Sequence, residues 1–154
     1  MRHTVLKNGS QRFRASNFEF SASPDLRDFE GRSYGHWLFA RPDGRGGAIV
    51  NRTYYSNSTV KHQIKGLDCL RTLGIPVSLE LRHTTEDLTN LKAALEAEVL
   101  GLTARNAALA ALISKKGTRK RTNEERKAEM EANAVQIKKL RKLIQREARK
   151  GGAA

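Results

Sequence analysis

Two runs of apolar residues spaced by seven dominate the second half of the chain: Leu88, Leu95, Leu102 and Leu109, then Met130, Ile137 and Ile144. A helix that repeats every 3.5 residues buries such a seam against a partner helix. With the leucines at heptad position d, Lys92, Val99, Asn106 and Ile113 fall at a. With Met130, Ile137 and Ile144 at a, Arg126, Asn133, Leu140 and Glu147 fall at d. Folding the second run back on the first makes every a meet a d. The layers become Ile113 with Arg126, Leu109 with Met130, Asn106 with Asn133, Leu102 with Ile137, Val99 with Leu140, Leu95 with Ile144, and Lys92 with Glu147. Apolar meets apolar, amide meets amide, and cation meets anion. Residues from about 86 to 149 therefore predict an antiparallel two-helix coiled coil.

The paired amides set the register, because apolar layers alone tolerate sliding. A lone buried amide would cost about 1–3 kcal/mol. Gly117 stands where a helix C-cap belongs. Thr122-Asn123-Glu124-Glu125 has capping-box spacing for the next helix. The connection is thus expected at about 114–121, with arms of about 28 residues reaching ~42 Å at 1.5 Å per residue. The rival arrangement is a parallel dimeric zipper. It would set Lys92 against its own symmetry mate and leave the second stripe unpartnered.

All nine aromatics lie before residue 56, and after Arg82 there is neither aromatic nor proline. The composition changes there from a mixed domain to long helices. The expected fold class is α+β, a small mixed sheet-plus-helix head followed by the C-terminal helical hairpin. The expected divisions are a head at 1–83, the hairpin at 84–150 with a basic tip at about 114–122, and a disordered tail at 151–154. In the head, residues 34–40 alternate as a strand with Trp37 and Phe39 on one face. Pro42-Asp43-Gly44 reads as a turn and 48–50 as the returning strand, so 34–55 predicts a hairpin. Ser58 or Thr59 caps a helix carrying Val60, Ile64, Leu67 and Leu70 or Arg71 at helical spacing. Gly74 and Pro76 end it, and Val77, Leu79 and Leu81 form a further strand. Val5-Leu6, Phe13 and Phe18-Glu19-Phe20 read as short strands around Asn8-Gly9, and 21–31 as loop.

Lys and Arg number 29 against 16 Asp and Glu, a formal charge of +13. The excess occurs in both regions, so it is not a tail effect. Such a field attracts polyanions: DNA, RNA, or an acidic protein or nucleoprotein surface. At the tip, Lys115, Lys116, Arg119, Lys120 and Arg121 surround Gly117. A rigid arm would present them to phosphates, which they bind without reading sequence; otherwise they are a solvated loop. Lys138, Lys139, Arg141, Lys142 and Arg146 form a second basic stripe, although cations near a helix C-terminus also suit its dipole. In the head, Arg41, Arg45, Arg52, Lys61 and Lys65 interleave with Trp37, Tyr54 and Tyr55, a combination that can hold single-stranded nucleic acid by phosphate contact and stacking. Trp37 is expected in the core. Tyr54 and Tyr55, as neighbours on a strand, are expected on opposite faces.

Catalysis has little to stand on. His3, His36, His62 and His83 lack metal-ligand spacing, and the head's acids form no recognisable carboxylate site. Cys69, the only cysteine, reads as a small core residue and excludes an intrachain disulfide. Gly44-Arg45-Gly46-Gly47 lacks the lysine-serine pair of a phosphate-binding loop. No cofactor or metal is expected. The apolar runs are too short for a membrane span, and the first residues lack the core of a signal peptide, so a cytoplasmic protein is expected.

Residues Asn51-Arg52-Thr53-Tyr54-Tyr55-Ser56-Asn57-Ser58-Thr59-Val60-Lys61-His62-Gln63 resemble a segment of small phage-encoded proteins of uncharacterised function. There a Tyr-Ser-x-Thr-Thr-x-Lys-His stretch follows a strand and opens a helix. Here Ser58 replaces the first threonine and one residue is inserted. The resemblance implies a viral setting, with host cytoplasm as the location, and carries no catalytic residue. The resulting expectation is a non-catalytic basic protein binding nucleic acid or a nucleoprotein complex. The alternative is a phage-type interaction or inhibitor protein docking on an acidic surface of a protein partner. The oligomeric state is left open.

Overall fold

The computed structural model describes residues 1–115 and 120–151, which divide between Asn90 and Leu91 into two compact units. The first is α+β. Its strands are β1 (Arg2–Val5), β2 (Gln11–Ala15), β3 (Phe18–Ala22), β4 (Phe29–Ser33), β5 (Trp37–Pro42), β6 (Ala48–Asn51) and β7 (Val77–Leu81), with helix α1 (Asn57–Thr72) between the last two. They form one sheet in chain order. The first six strands run antiparallel as a meander, and β7 lies parallel to β6. A parallel neighbour needs a crossover, and α1 provides it.

Residues 21–31, expected as loop, instead hold the end of β3 and the start of β4. The strand pattern is hidden because β4 turns Phe29, Gly31 and Ser33 inward, and only one of these is large. The β5–β6 hairpin is present, but it begins at Trp37, and residues 52–56 lead into α1 rather than extending a strand.

The core is aromatic: Phe13, Phe18, Phe20, Phe29 and Phe39 are all buried, with Ala40, Val50, Cys69, Leu70 and Ile75. α1 packs across β3 and β4. Its cap is Ser56, whose side chain accepts from the Thr59 amide, not Ser58 or Thr59 as expected. The buried face is also different from the expected apolar stripe. Thr59, His62, Gln63, Gly66, Cys69 and Leu70 are buried, whereas Ile64 is 48% exposed.

The reason is the Phe39 ring. A Cβ added to Gly66 would lie 2.7 Å from Phe39 Cζ and closer still to Cε2, and one added to Gly31 would lie 2.9 Å from the same Cζ. Helix and sheet approach so closely that the helix face over the ring must be bare. Polar neighbours then satisfy one another: the Ser33 hydroxyl is 2.7 Å from His62 Nδ1, and Gln63 Nε2 donates to the Thr53 carbonyl at 3.0 Å.

The opposite face of β5–β7 is covered by residues 82–90. Leu88 is fully buried, its amide donates to the Leu38 carbonyl at 2.8 Å, and Asn51 Nδ2 donates to the Glu86 carbonyl at 2.8 Å. Leu88 therefore belongs to the sheet unit and opens no heptad.

The second unit holds α2 (Leu91–Ile113) and α3 (Lys120–Gly151), which pack on each other. α2 begins at Leu91, not near 86, because the preceding residues are bonded to the sheet. Asn133 Nδ2 donates to Asn106 Oδ1 at 2.8 Å, the pairing expected from the heptads, and Asn106 Nδ2 donates to the Met130 carbonyl at 3.3 Å. Arg105 and Glu129 join the helices outside the seam at 2.8 Å. Leu95, Leu102, Leu109 and Leu140 are buried. Lys92 is exposed, and its ammonium lies 3.8 Å from Glu96 one turn along its own helix. α3 starts before Thr122, so that residue lies inside the helix rather than capping it. Gly117 and residues 152–154 of the expected tail lie outside the described residues, while Gly151, expected to open the tail, is the last residue of α3. No helix among the described residues is long and apolar enough to cross a membrane.

Gly66→Ala is expected to destabilise the chain by roughly 1–3 kcal/mol through overpacking, despite alanine's better helix propensity. Adding Phe39→Leu should recover part of the loss. Urea unfolding midpoints measure both, and a Gly66→Ala variant as stable as the native chain would contradict the slot.

Candidate nucleic-acid interface

The cations proposed for the head fall into two kinds. Arg41 and Arg52 are half-buried and held. Arg41 Nη1 donates to the Leu88 carbonyl at 3.0 Å, so it fastens the covering segment to β5. Arg52 lies 3.4 Å from Glu80, which also binds Arg82 at 2.6 Å. Partial burial works against the Glu80 carboxylate, but the bonds and charges of Arg82 and Arg52 outweigh it and hold its pKa below the ordinary value. Arg45 and Lys61 are exposed, the first in the β5–β6 turn and the second on α1. The turn is braced by Asp43, whose Oδ1 accepts from the Arg45 and Gly47 amides at 2.6 and 3.0 Å.

Tyr54 is 68% exposed, and its hydroxyl donates to Asn57 Oδ1 at 3.2 Å. Tyr55 is also exposed, though less so. The expectation of opposite faces fails because both tyrosines follow the end of β6. Tyr55 is occupied: its hydroxyl donates to the Thr84 carbonyl at 3.0 Å and its ring meets Trp37 edge-on at 4.9 Å. Burial raises its phenol pKa above the ordinary value. Trp37, expected in the core, is half-buried at the sheet margin, stacked on Phe39 at 6.1 Å.

On α3, Lys138, Lys139, Arg141, Lys142, Arg146 and Arg149 are all exposed, whereas Leu140 is fully buried. At 3.6 residues per turn, Lys138, Lys142, Arg146 and Arg149 fall within an arc of about 80°, on the side away from Leu140. Of the tip, Lys115 is described and exposed. Lys116 and Arg119 lie outside the described residues, as do the side chains of Lys120 and Arg121.

Among the described residues no group of three or more His, Cys, Asp or Glu side chains is placed to hold a metal ion. Cys69 is fully buried 3.8 Å from Met1 Sδ, and burial pushes its thiol up to about 12, far from a reactive thiolate.

Sequence reasoning missed the Ser33–His62 pair, because neither residue lies in a recognisable motif and 29 positions separate them. Ser33 is 1% exposed, so its hydroxyl is closed to a substrate and the bond serves to seat α1 on β4. The imidazole is enclosed by Phe18, at 6.0 Å, and by Tyr34, at 5.4 Å. Burial and the nearby Lys65 charge lower its pKa below the ordinary 6.5. The unfolded chain takes up this proton at 6.5, the folded chain only at lower pH. His62 thus contributes stability that is whole above pH 6.5 and is lost as pH falls through and below it. Melting temperature is expected to drop between about pH 7.5 and 5.5, and the drop should shrink in His62→Gln. Asp43 and Glu80 respond only at lower pH, near and below their ordinary 3.8 and 4.5. A drop of equal size in both proteins would exclude His62 as its source.

No family model, curated protein or solved structure matches the chain.

Proposed function

We propose that this is a non-catalytic basic protein that binds nucleic acid, free or within a nucleoprotein complex. In this reading α2 and α3 form an antiparallel coiled-coil hairpin that serves as a cationic arm, and the α+β head supplies a second contact. The observation that carries it is the exposed stripe Lys138, Lys142, Arg146 and Arg149 on a helix anchored by its opposite face, within a chain of charge +13. A line of cations fixed on a long helix is matched by a polyanion, which exchanges condensed counterions for the side chains. The Asn106–Asn133 bond supports the hairpin as the frame of the arm. The phage-like segment at 51–63 spans the end of β6 and the start of α1 and is consistent with a viral setting.

A protein–protein interaction role is the second reading, favoured by the lack of any aromatic residue after position 55. An arm offering charge alone would suit an acidic protein surface as well as phosphate. Pull-down from nuclease-treated lysate separates the two, since a protein partner survives that treatment.

Binding to duplex DNA and to RNA across a salt series tests the main reading. The native chain should weaken steeply with salt. Alanine at Lys138, Lys142, Arg146 and Arg149 together should lower the slope by about 3 to 4 on duplex DNA if each cation meets a phosphate. Native affinity indifferent to salt would count against it. The arm has its own test. Asn106→Cys with Asn133→Cys should oxidise to a crosslink within one chain, while Cys69 stays protected in the core. A crosslink forming only between chains would favour the parallel dimer.

A further inference from the structure

The strand register lines up Arg2, Arg14, Glu19 and Arg32 across β1–β4: Arg2 pairs with Arg14, Arg14 with Glu19, and Glu19 with Arg32. Directly opposed residues of antiparallel strands point the same way. The neighbouring row, His3, Phe13, Phe20 and Gly31, faces the aromatic core, so the charged row lies on the other face. With strands about 4.8 Å apart, the row is ~14 Å long. Arg12 projects from the same face two residues along β2, and Glu30 two residues before Arg32 on β4.

Two carboxylates serve four guanidiniums there. Glu19 is shared between Arg14 at 3.0 Å and Arg12 at 3.4 Å, Glu30 pairs with Arg32 at 2.9 Å, and Arg2 stands opposite Arg14 rather than a carboxylate. Exposed pairs of this kind contribute only ~0–1 kcal/mol, so a phosphate can replace Glu19 beside Arg14 at little cost. The Arg14 side chain is 59% exposed.

Beside Arg14 and Glu19, the middle of this row, where β2 turns into β3, lies a hollow of about 350 Å³ lined by Arg14, Ser16, Asn17, Glu19, Tyr34 and Gly35, among others. Tyr34 occupies it in an unusual state. Its φ of 54° is in the left-handed region, which costs a bulky residue about 1–2 kcal/mol. The fold retains that conformation by a bond from the Tyr34 amide to the Asn17 carbonyl at 2.6 Å and by edge contact of the ring with His62. The residue nevertheless remains 47% exposed. An aromatic ring held in a strained turn, half bare, beside a cationic row is a fixed platform with phosphate ligands next to it. Strained backbone of this kind gathers at ligand sites.

We infer that this hollow, at the rim of the sheet where the β2–β3 turn and Tyr34 meet, is a site for single-stranded nucleic acid, with a base stacked on Tyr34 and adjacent phosphates on Arg14 and Arg2. The inference rests on the nucleic-acid reading above and assigns its substrate class. A duplex keeps its bases stacked on one another and offers Tyr34 no free face, whereas a single strand does.

The test uses the full chain with labelled oligo(dT) and oligo(U) of about 12 nucleotides, and a duplex of equal length, across a salt series. The single strands should bind more tightly than the duplex. Tyr34→Leu should weaken single-strand binding about tenfold with little change in salt slope, and Tyr34→Phe should retain it. Arg2→Ala with Arg14→Ala should lower the single-strand slope by about 1.4. Melting temperatures check that each variant folds, and Tyr34→Phe separates loss of stacking from damage to the turn. Native binding that is salt-dependent but unchanged in the Tyr34 and Arg2/Arg14 variants overturns this site alone, as does an equal preference for duplex. A native chain that binds none of the probes overturns it together with the broader reading.

Discussion

The head depends on one ring in one slot. Phe39 stands on β5, with Gly31 beside its ring on β4 and Gly66 against it on α1. Because neither glycine has a side chain, helix and sheet close to a distance at which the ring fills the gap, and Phe18 and Trp37 pack on it from either side. That closeness decides what else can be buried on α1. A large apolar residue has no room at Gly66, so the face is completed by groups that bond across the gap, His62 to Ser33 and Gln63 to Thr53. The same strand secures the second layer, since Leu38 accepts from the Leu88 amide and Arg41 donates to the Leu88 carbonyl.

The slot also explains which parts of the fold were legible in the sequence. β5, β6 and β7 were readable because they are buried on alternating or both faces, and Phe39, Val50 and Leu81 mark them. The amide pair Asn106 and Asn133 was readable because two polar residues at seam positions find each other only in one register. α1 was found as a helix, but its orientation was misread, since apolar periodicity favoured Val60 and Ile64 while the fold buries His62, Gln63 and Gly66. A glycine that is buried because a ring sits on it gives no hydrophobic signal. β4 was lost for the same reason, with Gly31 and Ser33 in two of its three inward positions. Both of these misses trace to close packing around Phe39.

The cations of the head divide by the same internal demands. Of the interleaved Arg41, Arg45, Arg52, Lys61, Lys65, Trp37, Tyr54 and Tyr55, the sequence pattern for nucleic acid in the head, four are side chains the fold uses internally. Arg41 holds the covering segment, Arg52 is paired with Glu80, and Trp37 and Tyr55 pack on each other. The exposed cations of the head include Arg45 and Lys61 from that pattern, together with Arg14, which alternates with Phe13 on β2. Alternation itself was the signal: a strand that buries Phe13 must turn its arginines to solvent. Tyr34 could not have been singled out, because its position depends on a turn conformation that tyrosine seldom adopts.

The two proposed contacts differ in what they can recognise. The α3 stripe offers charge without any aromatic surface, so its binding would follow the density of phosphates and ignore both sequence and strandedness. The head offers fewer net charges, since Glu19 and Glu30 offset half of the guanidiniums on the open face, but it has a fixed ring. A partly neutralised row beside an exposed aromatic is poor at holding polyanions in general and better at choosing among them. Affinity would then come mainly from the helical unit and discrimination from the sheet unit. In that arrangement, removing α3 cations lowers binding to every nucleic acid alike, whereas altering Tyr34 changes the ratio between single strand and duplex.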